Sequence, residues 1–301
     1  MNVELVEVAP RDGLQNEPLT LPPEARARLV CRLVACGLSR IEVASFVNER
    51  HVPQMADAED VVSRLPRGTA SYIGVALNRR GYERALAAGI DEVNLVVVCT
   101  DEFSRRNQGR GTDEVLAEMC ELLTDAAAAV ATTVTLAAAF GCPFEGEVAT
   151  KRVASLAEAA ASAGANELAL ADTIGCAIPR QVRELVAAVA STVGNVPLRC
   201  HFHNTRNTGY ANAFAAVEAG VTTLDASIGG IGGCPFAPRA TGNIATEDLA
   251  WQLRRSGYGI GNIDMDNLLA LHDHLAELGI RTSGLVGRAG VFPPEREAAG
   301  V

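Results

Sequence analysis

Two histidines separated by one residue, His201 and His203, close the run Val196-Pro-Leu-Arg-Cys-His-Phe-His203. The run reads as a short buried strand ending among polar loop residues. On a strand the side chains of i and i+2 leave the same face, so both imidazoles point at one spot. Two converging imidazoles can hold a divalent metal. Leu271-His-Asp-His-Leu275 repeats the spacing but lies in a helical pattern, where the two rings diverge by roughly 200° about the axis. The second pair is therefore expected to face solvent, which leaves the first as the candidate site.

The elements that position such a pair follow from a recurring phrase: an Ala-rich helical stretch, a small residue with Gly, then an apolar strand. It occurs at Cys36-Gly37, Ala88-Gly89, Ala163-Gly164 and Ala219-Gly220. Gly just past a helix accepts the left-handed C-cap geometry, so each occurrence marks a helix-to-strand junction. Short apolar runs give eight strands: Val3 to Ala9, Ser39 to Ser45, Thr69 to Leu77, Glu92 to Cys99, Thr133 to Ala139, Glu167 to Ala171, Leu198 to His203 and Thr223 to Ser227. Helical patterns fall between them, including Pro23 to Cys36, Thr112 to Ala131, Glu147 to Ala163 and Pro179 to Val193. Alternation of this kind favours a single (β/α)8 TIM barrel over an open doubly wound sheet. The barrel is expected over about 1–256 and a C-terminal helical extension over about 260–301, with a helix from Asp264 to Leu278.

Composition narrows the function classes. A net charge of -10 argues against a general affinity for nucleic acid or anionic membranes and leaves room for local basic spots. The eight cysteines form no C-x-x-C pair or zinc-finger spacing, as in a reduced cytosolic protein. The first residues lack a secretory or transit pattern, and no apolar run is long enough to span a bilayer. A cytoplasmic location is expected. Gly229-Gly-Ile-Gly-Gly233 follows a strand, but it runs into Cys234-Pro-Phe-Ala-Pro238 rather than a helix. It therefore reads as a Gly-rich lid, not a dinucleotide loop.

Chemistry in such a barrel sits on loops at the C-terminal ends of the strands. Unexplained polar residues fall there: Arg11 and Asp12 after strand one, Glu42 inside Ile41-Glu-Val-Ala44, Asp172, the two histidines, and Cys234 and Asn243 around the Gly loop. Arg11 and Asp12 could equally be an ion pair closing the barrel top, and Asp172 a cap for the helix starting near Ile178. A buried Glu42 needs a partner, either Arg11 or a metal shell. Two imidazoles with a carboxylate and an amide oxygen would suit a six-coordinate Mg²⁺ or Mn²⁺, whose natural chemistry is enolate formation at a polarised oxygen.

Val6-Glu-Val-Ala-Pro-Arg-Asp-Gly-Leu-Gln-Asn-Glu17, Ser45-Phe-Val47, Val52-Pro-Gln-Met55, Gly141-Cys-Pro-Phe-Glu-Gly146, Asp172-Thr-Ile-Gly175, Gly232-Gly-Cys-Pro-Phe-Ala237 and Gly242-Asn-Ile-Ala-Thr-Glu-Asp248 closely resemble 3-hydroxy-3-methylglutaryl-CoA lyase, in order along the chain. The resemblance implies metal ligation by Asp12, His201, His203 and Asn243, and enolate stabilisation by Arg11. It gives Glu42 the orientation of Arg11, Asp172 and His201 the proton transfer, and Cys234 a place on the lid. Thr100 to Asn107 looks like the segment that contacts CoA, with Arg105, Arg106 and Asn107 near the nucleotide; a solvated helix start is the other reading of the arginines. The implied reaction is retro-Claisen cleavage of an acyl-CoA substrate to acetyl-CoA and a keto product, and a homodimer is expected.

The chain departs from the family's usual pattern. Thr135-Leu-Ala137 stands where a Tyr and a Ser are usual, Ala169 where a Ser is usual, and Asn204-Thr-Arg206 where an Asp and Thr-Tyr-Gly-Gln follow the histidines. Lost hydroxyls and a changed charge beside the metal alter which acyl part is accepted more than which bond is cleaved. The expectation is a lyase for 3-hydroxy-3-methylglutaryl-CoA or a related thioester, with a longer 3-alkylglutaryl-CoA or citramalyl-CoA as alternatives. A condensing synthase is disfavoured because no room remains for a regulatory domain, and a barrel without catalysis because Arg11, Asp172 and Cys234 are all present.

Overall fold

A computed structural model describes residues 1–126, 130–233 and 242–292. Eight parallel strands close a barrel in chain order: β1 (Glu4–Glu7), β2 (Arg40–Ser45), β3 (Ser71–Ala76), β4 (Glu92–Val98), β5 (Ala131–Ala137), β6 (Glu167–Asp172), β7 (Leu198–Phe202) and β8 (Thr223–Ala226). Closure is made by β1 on β8, with Glu4 opposite Thr223 and Glu7 opposite Ala226. This is the expected TIM barrel.

Helices α1 (Pro23–Ala35), α2 (Ala58–Ser63), α3 (Arg79–Ala88), α4 (Asp101–Gln108) and α5 (Thr112–Ala126) accompany the first half. The second half carries α6 (Thr150–Ser162), α7 (Pro179–Val193), α8 (Gly209–Glu218) and α9 (Thr246–Arg255), followed by α10 (Met265–Glu277) and α11 (Val286–Ala289). The four junction glycines, Gly37, Gly89, Gly164 and Gly220, all take positive φ, between 77° and 104°. That backbone is nearly free of strain only for glycine, which is why the phrase repeats. Apolar faces of the helices pack on the outside of the sheet, burying Leu29, Leu33, Val61, Leu122, Leu156, Val186 and Leu253 completely or nearly so.

Three expectations shift. The helix read as Thr112 to Ala131 is described as far as Ala126, residues 127–129 lie outside the described residues, and Ala131 already belongs to β5. An alanine run offers no polar contrast from which to read periodicity. Strand β5 stops at Ala137 because Ala138 turns to φ 56°. The helix expected from Glu147 begins at Thr150.

The second His-x-His pair is not solvent-facing. Helix α10 packs against α1, α9 and the loop after β8, so His274 is buried and His272 is half-buried, with Nε2 2.8 Å from Glu247 Oε1. A wedged helix buries more than one stripe of its surface. The rings still serve separate environments.

The barrel interior is polar. At its N-terminal end the Arg40 guanidinium meets Glu92 and Glu167, with Thr133 bonded to both carboxylates. One layer up, the Arg199 guanidinium donates from Nε to Asp225 and comes within 4.0 Å of Glu92. Buried charges are tolerated there because each has an opposite charge beside it, although Arg199 Nη1 makes no hydrogen bond of its own.

Candidate active site

Above this ladder, the C-terminal ends of the strands surround a cavity of about 840 Å³ lined by Arg11, Asp12, Asn94, Thr135, His201 and His203, with Arg105, Arg106 and Asn107 also on its wall. Arg11 and Asp12 lie in a single helical turn, Ala9–Gly13, that follows β1. From it Arg11 Nη1 donates to Asp12 Oδ1 at 2.9 Å, while Nε and Nη2 reach Glu42 Oε1. Glu42, on β2, is fully buried, and its other oxygen accepts Asn94 Nδ2 at 2.8 Å; the Thr135 hydroxyl then donates to Asn94 Oδ1, also at 2.8 Å. The chain Thr135–Asn94–Glu42–Arg11–Asp12 thus crosses the barrel and fixes the guanidinium plane. The ion-pair and orientation readings of Arg11 are two parts of one network.

Strand pleat places His201 and His203 together as expected, with ring centroids 5.0 Å apart. Ligand atoms of Asp12, His201 and His203 all lie within 4.8 Å of one another. His201 Nδ1 is 3.0 Å from Asp225 Oδ2. His203 is buried, yet its Nδ1 has no partner and its Nε2 stops 3.8 Å from Asp12 Oδ2, beyond hydrogen-bond range. An unmet buried imidazole beside a carboxylate fits a bound cation. Burial alone would raise the Asp12 carboxyl, but Arg11 and the two imidazoles outweigh it and hold Asp12 well below the usual carboxylate range. Burial works against protonated His201 too, and the bond to Asp225 and the charge of Asp12 more than offset it, raising its pKa.

Asn243 stands beside Asp12: its Nδ2 donates to Asp12 Oδ2 at 2.9 Å and to the Ile231 carbonyl at 3.0 Å. The backbone of 242–245 is held at the barrel mouth, where Asn243 bridges His203 and Ala245 bridges Ser227. Gly232 allows this approach, because a Cβ there would come 2.5 Å from Asn243 Nδ2, and its φ is 118°. Cys234 lies outside the described residues.

Asp172 is placed differently. Its oxygens accept the amides of Cys176 and Ala177 at 2.8 and 3.0 Å, which pins the loop ahead of α7, and it is not among the cavity-lining residues. Burial raises its pKa, against the pull of those amides.

Arg105 and Arg106 sit in the last turn of α4, not at a helix start. Each is held by an acid one turn back, Asp101 and Glu102, and Arg106 lies over the Phe144 ring at 4.2 Å. Phe144 belongs to the tight turn closed by Cys142 and Gly146, whose Cys142 Sγ accepts the Thr100 hydroxyl. Of the departures from the family pattern, Thr135 and Ala137 line the cavity. Ala169 is buried away from it. Asn204 accepts the amide of Gly209, and Arg206 is turned to the carbonyls of Ile174 and Gly175. The charge change expected beside the metal is therefore directed elsewhere.

Sequence reading passed over Asn94, Arg199 and Asp225. All three are polar residues inside apolar strands, and the rule that paired the histidines also puts Arg199 on the face of His201. That signal was present.

Fold and site define a TIM-barrel protein whose strands carry, at their C-terminal ends, a cluster of side chains able to hold a cation. The HMGL-like family profile matches residues 2–275, and the chain belongs to that family. It is 45% identical to (R)-citramalyl-CoA lyase of Chloroflexus aurantiacus, across 97% of this chain and 96% of that one. To hydroxymethylglutaryl-CoA lyase of Pseudomonas mevalonii it is 38% identical, across 95% and 93%. A solved HMG-CoA lyase from A. baumannii, in complex with coenzyme A and 3-methylmalate, superposes with a TM-score of 0.93 at 37% identity, covering 98% of this chain and 97% of that one. No helix among the described residues is long and apolar enough to cross a membrane.

Proposed function

We propose that the protein is a divalent-metal-dependent carbon–carbon lyase acting on a branched 3-hydroxyacyl-CoA, with citramalyl-CoA as its substrate. The observation that carries the reading is the convergence of Asp12, His201 and His203 directly beside a guanidinium fixed by Glu42. Mg²⁺ or Mn²⁺ suits these donors, with Asn243 as a fourth through its Oδ1. A divalent ion supplies the positive charge that lowers the pKa of a substrate hydroxyl.

The substrate's C3 carries no hydrogen, so losing the hydroxyl proton leads to cleavage of the C2–C3 bond. Its electron pair moves to C2, C3 becomes the keto carbon of pyruvate, and C2 takes a proton to give acetyl-CoA. Arg11 faces the negative charge that develops on the thioester oxygen, and Glu42 with Asn94 keeps it from swinging away. Asp172 and His201 are proposed as the proton-transfer set, with His201 acting through the Nδ1 proton it shares with Asp225. Each Asp172 oxygen accepts one amide and keeps a lone pair that can take a proton, so the group can hold the loop ahead of α7 and still exchange a proton. Cys234 is proposed as the proton donor to C2. Arg105, Arg106 and Asn107 are proposed to meet the nucleotide half of CoA, which an α4 carried on the cavity wall supports.

The acyl group is argued from identity and from the wall. Identity is higher to the citramalyl-CoA lyase than to the hydroxymethylglutaryl-CoA lyase. The five-carbon hydroxydiacid in the A. baumannii complex has the carbon count of citramalate. Thr135 and Ala137 alter the cavity wall itself, where a changed hydrogen-bonding group discriminates between acyl parts. The second reading, cleavage of 3-hydroxy-3-methylglutaryl-CoA to acetoacetate, uses the same residues. A metal-supplemented panel of 3-hydroxyacyl-CoA thioesters, with acetyl-CoA and the keto product quantified together, separates the two: pyruvate as the dominant product supports citramalyl-CoA, and acetoacetate supports the second. We further propose a single catalytic unit, a homodimer and a cytoplasmic location.

A further inference from the structure

Beneath the proposed metal position the structure holds a buried pair that family resemblance did not single out. Arg199 and Asp225 are both buried, on β7 and β8. One oxygen of Asp225 accepts Arg199 Nε, and the other lies 3.0 Å from His201 Nδ1. We infer that Arg199 and Asp225 are positioning residues that set the tautomer of His201, so that Nε2 is the nitrogen offered to the metal. The inference rests on the metal-site reading above and adds the residues that make one ligand competent.

The argument is geometric. A carboxylate has acceptors only, and Arg199 claims one of them, so the remaining oxygen can only accept from His201. The imidazole proton is thereby fixed on Nδ1, and the lone pair falls on Nε2, the ring nitrogen that Asp225 leaves free. Arg199 is itself held from below: its Nη1 comes within 4.0 Å of Glu92 and 3.9 Å of Glu167, the carboxylates bound to Arg40. These carboxylates lie beyond hydrogen-bond range, but their charge favours the guanidinium where its Nε meets Asp225, which links the orientation of His201 to the floor of the barrel. His203 has no such partner on Nδ1, which makes the two ligands unequal.

Asparagine at 225 gives a discriminating test. Arg199 has only donors, so in Asp225→Asn it takes the amide oxygen and turns the NH2 toward His201 Nδ1. That demands the tautomer with the proton on Nε2, which blocks ligation. Mn²⁺ affinity, read from the electron paramagnetic resonance of the free ion, should fall by about 10- to 100-fold with the circular dichroism unchanged. In the double variant Arg199→Met/Asp225→Asn the oxygen is free to turn to His201, and much of the affinity should return. A purely structural role predicts the reverse order, since the double variant removes more of the network. Nitrogen-15 spectra of the metal-free wild-type protein, at a pH where the imidazole is neutral, should show the Nδ1–H form of His201. Wild-type affinity in Asp225→Asn, no recovery in a folded double variant, or an Nε2–H resonance in the wild type each overturns the inference. If Asp225→Asn does not fold, the spectrum and the double variant still decide. Failure of the wild type to bind Mn²⁺ would overturn the metal-site reading instead.

Discussion

Arg11 shows how much a single side chain depends on its neighbours. Its guanidinium is shared between Glu42 and Asp12, so its plane is set before any substrate arrives. An ammonium cannot reproduce that fork. Arg11→Lys should lower kcat by about 10²- to 10³-fold while Mn²⁺ affinity stays close to wild type; near-normal turnover in steady-state assays would contradict the role. Glu7 bears on stability. Buried and away from the cavity, it accepts the amides of Ala9 and Ile228 and the Thr246 hydroxyl, and burial pushes its carboxyl from 4.5 up to about 7. Below pH 4.5 folded and unfolded forms are both protonated. Between 4.5 and 7 the unfolded chain releases its proton first, so this group's effect is to lower stability as pH rises, by up to roughly 3 kcal/mol at about 1.4 kcal/mol per unit. Urea midpoints of Glu7→Gln should therefore differ less between pH 5 and pH 8 than those of the wild type.

At the scale of elements, strand pleat and glycine geometry made much of the site readable. The i, i+2 rule placed His201 beside His203, four small-Gly junctions marked the repeating helix-to-strand unit, and the short apolar runs supplied the count of eight strands. Helix periodicity did worse where contrast was missing: the alanine run from Ala126 to Ala129 has no polar residue to mark where a helix ends, and α10 buries His274 as well as its apolar stripe. Asp225 and Asn94 went unread because one polar residue in an apolar strand does not reveal its partner; which side chains meet across the interior is set by strand register and by the curvature of the sheet. The loop after β8 makes an element-level prediction. Gly232→Ala would drive a methyl into the Asn243 amide at a positive φ. Its Mn²⁺ affinity should drop by about tenfold or more, and unchanged affinity in titrations would show that Asn243 does not depend on that approach. Helix α4 makes another. Arg106→Ala should raise KM for the acyl-CoA several-fold while leaving kcat nearly unchanged, the pattern of a lost contact common to ground and transition states; a fall in kcat alone would place Arg106 elsewhere.

Across the whole molecule, the charged interior from Arg40 through Arg199 to His201 ties the floor of the barrel to the chemistry at its mouth. The fold was legible because helix and strand patterns alternate through most of the described residues, and the candidate site because its residues sit at strand ends. The acyl group was not, since it depends on side chains such as Thr135 and Ala137 whose effect is set by cavity shape. The most direct test of the account is cleavage of (R)-citramalyl-CoA by the metal-loaded protein, following acetyl-CoA and pyruvate together and repeating the assay after chelation. The account predicts equimolar products, loss of activity on chelation and recovery with Mn²⁺ or Mg²⁺. Undiminished cleavage by the chelated protein, or no acetyl-CoA from this or the hydroxymethylglutaryl thioester with metal present, would contradict it.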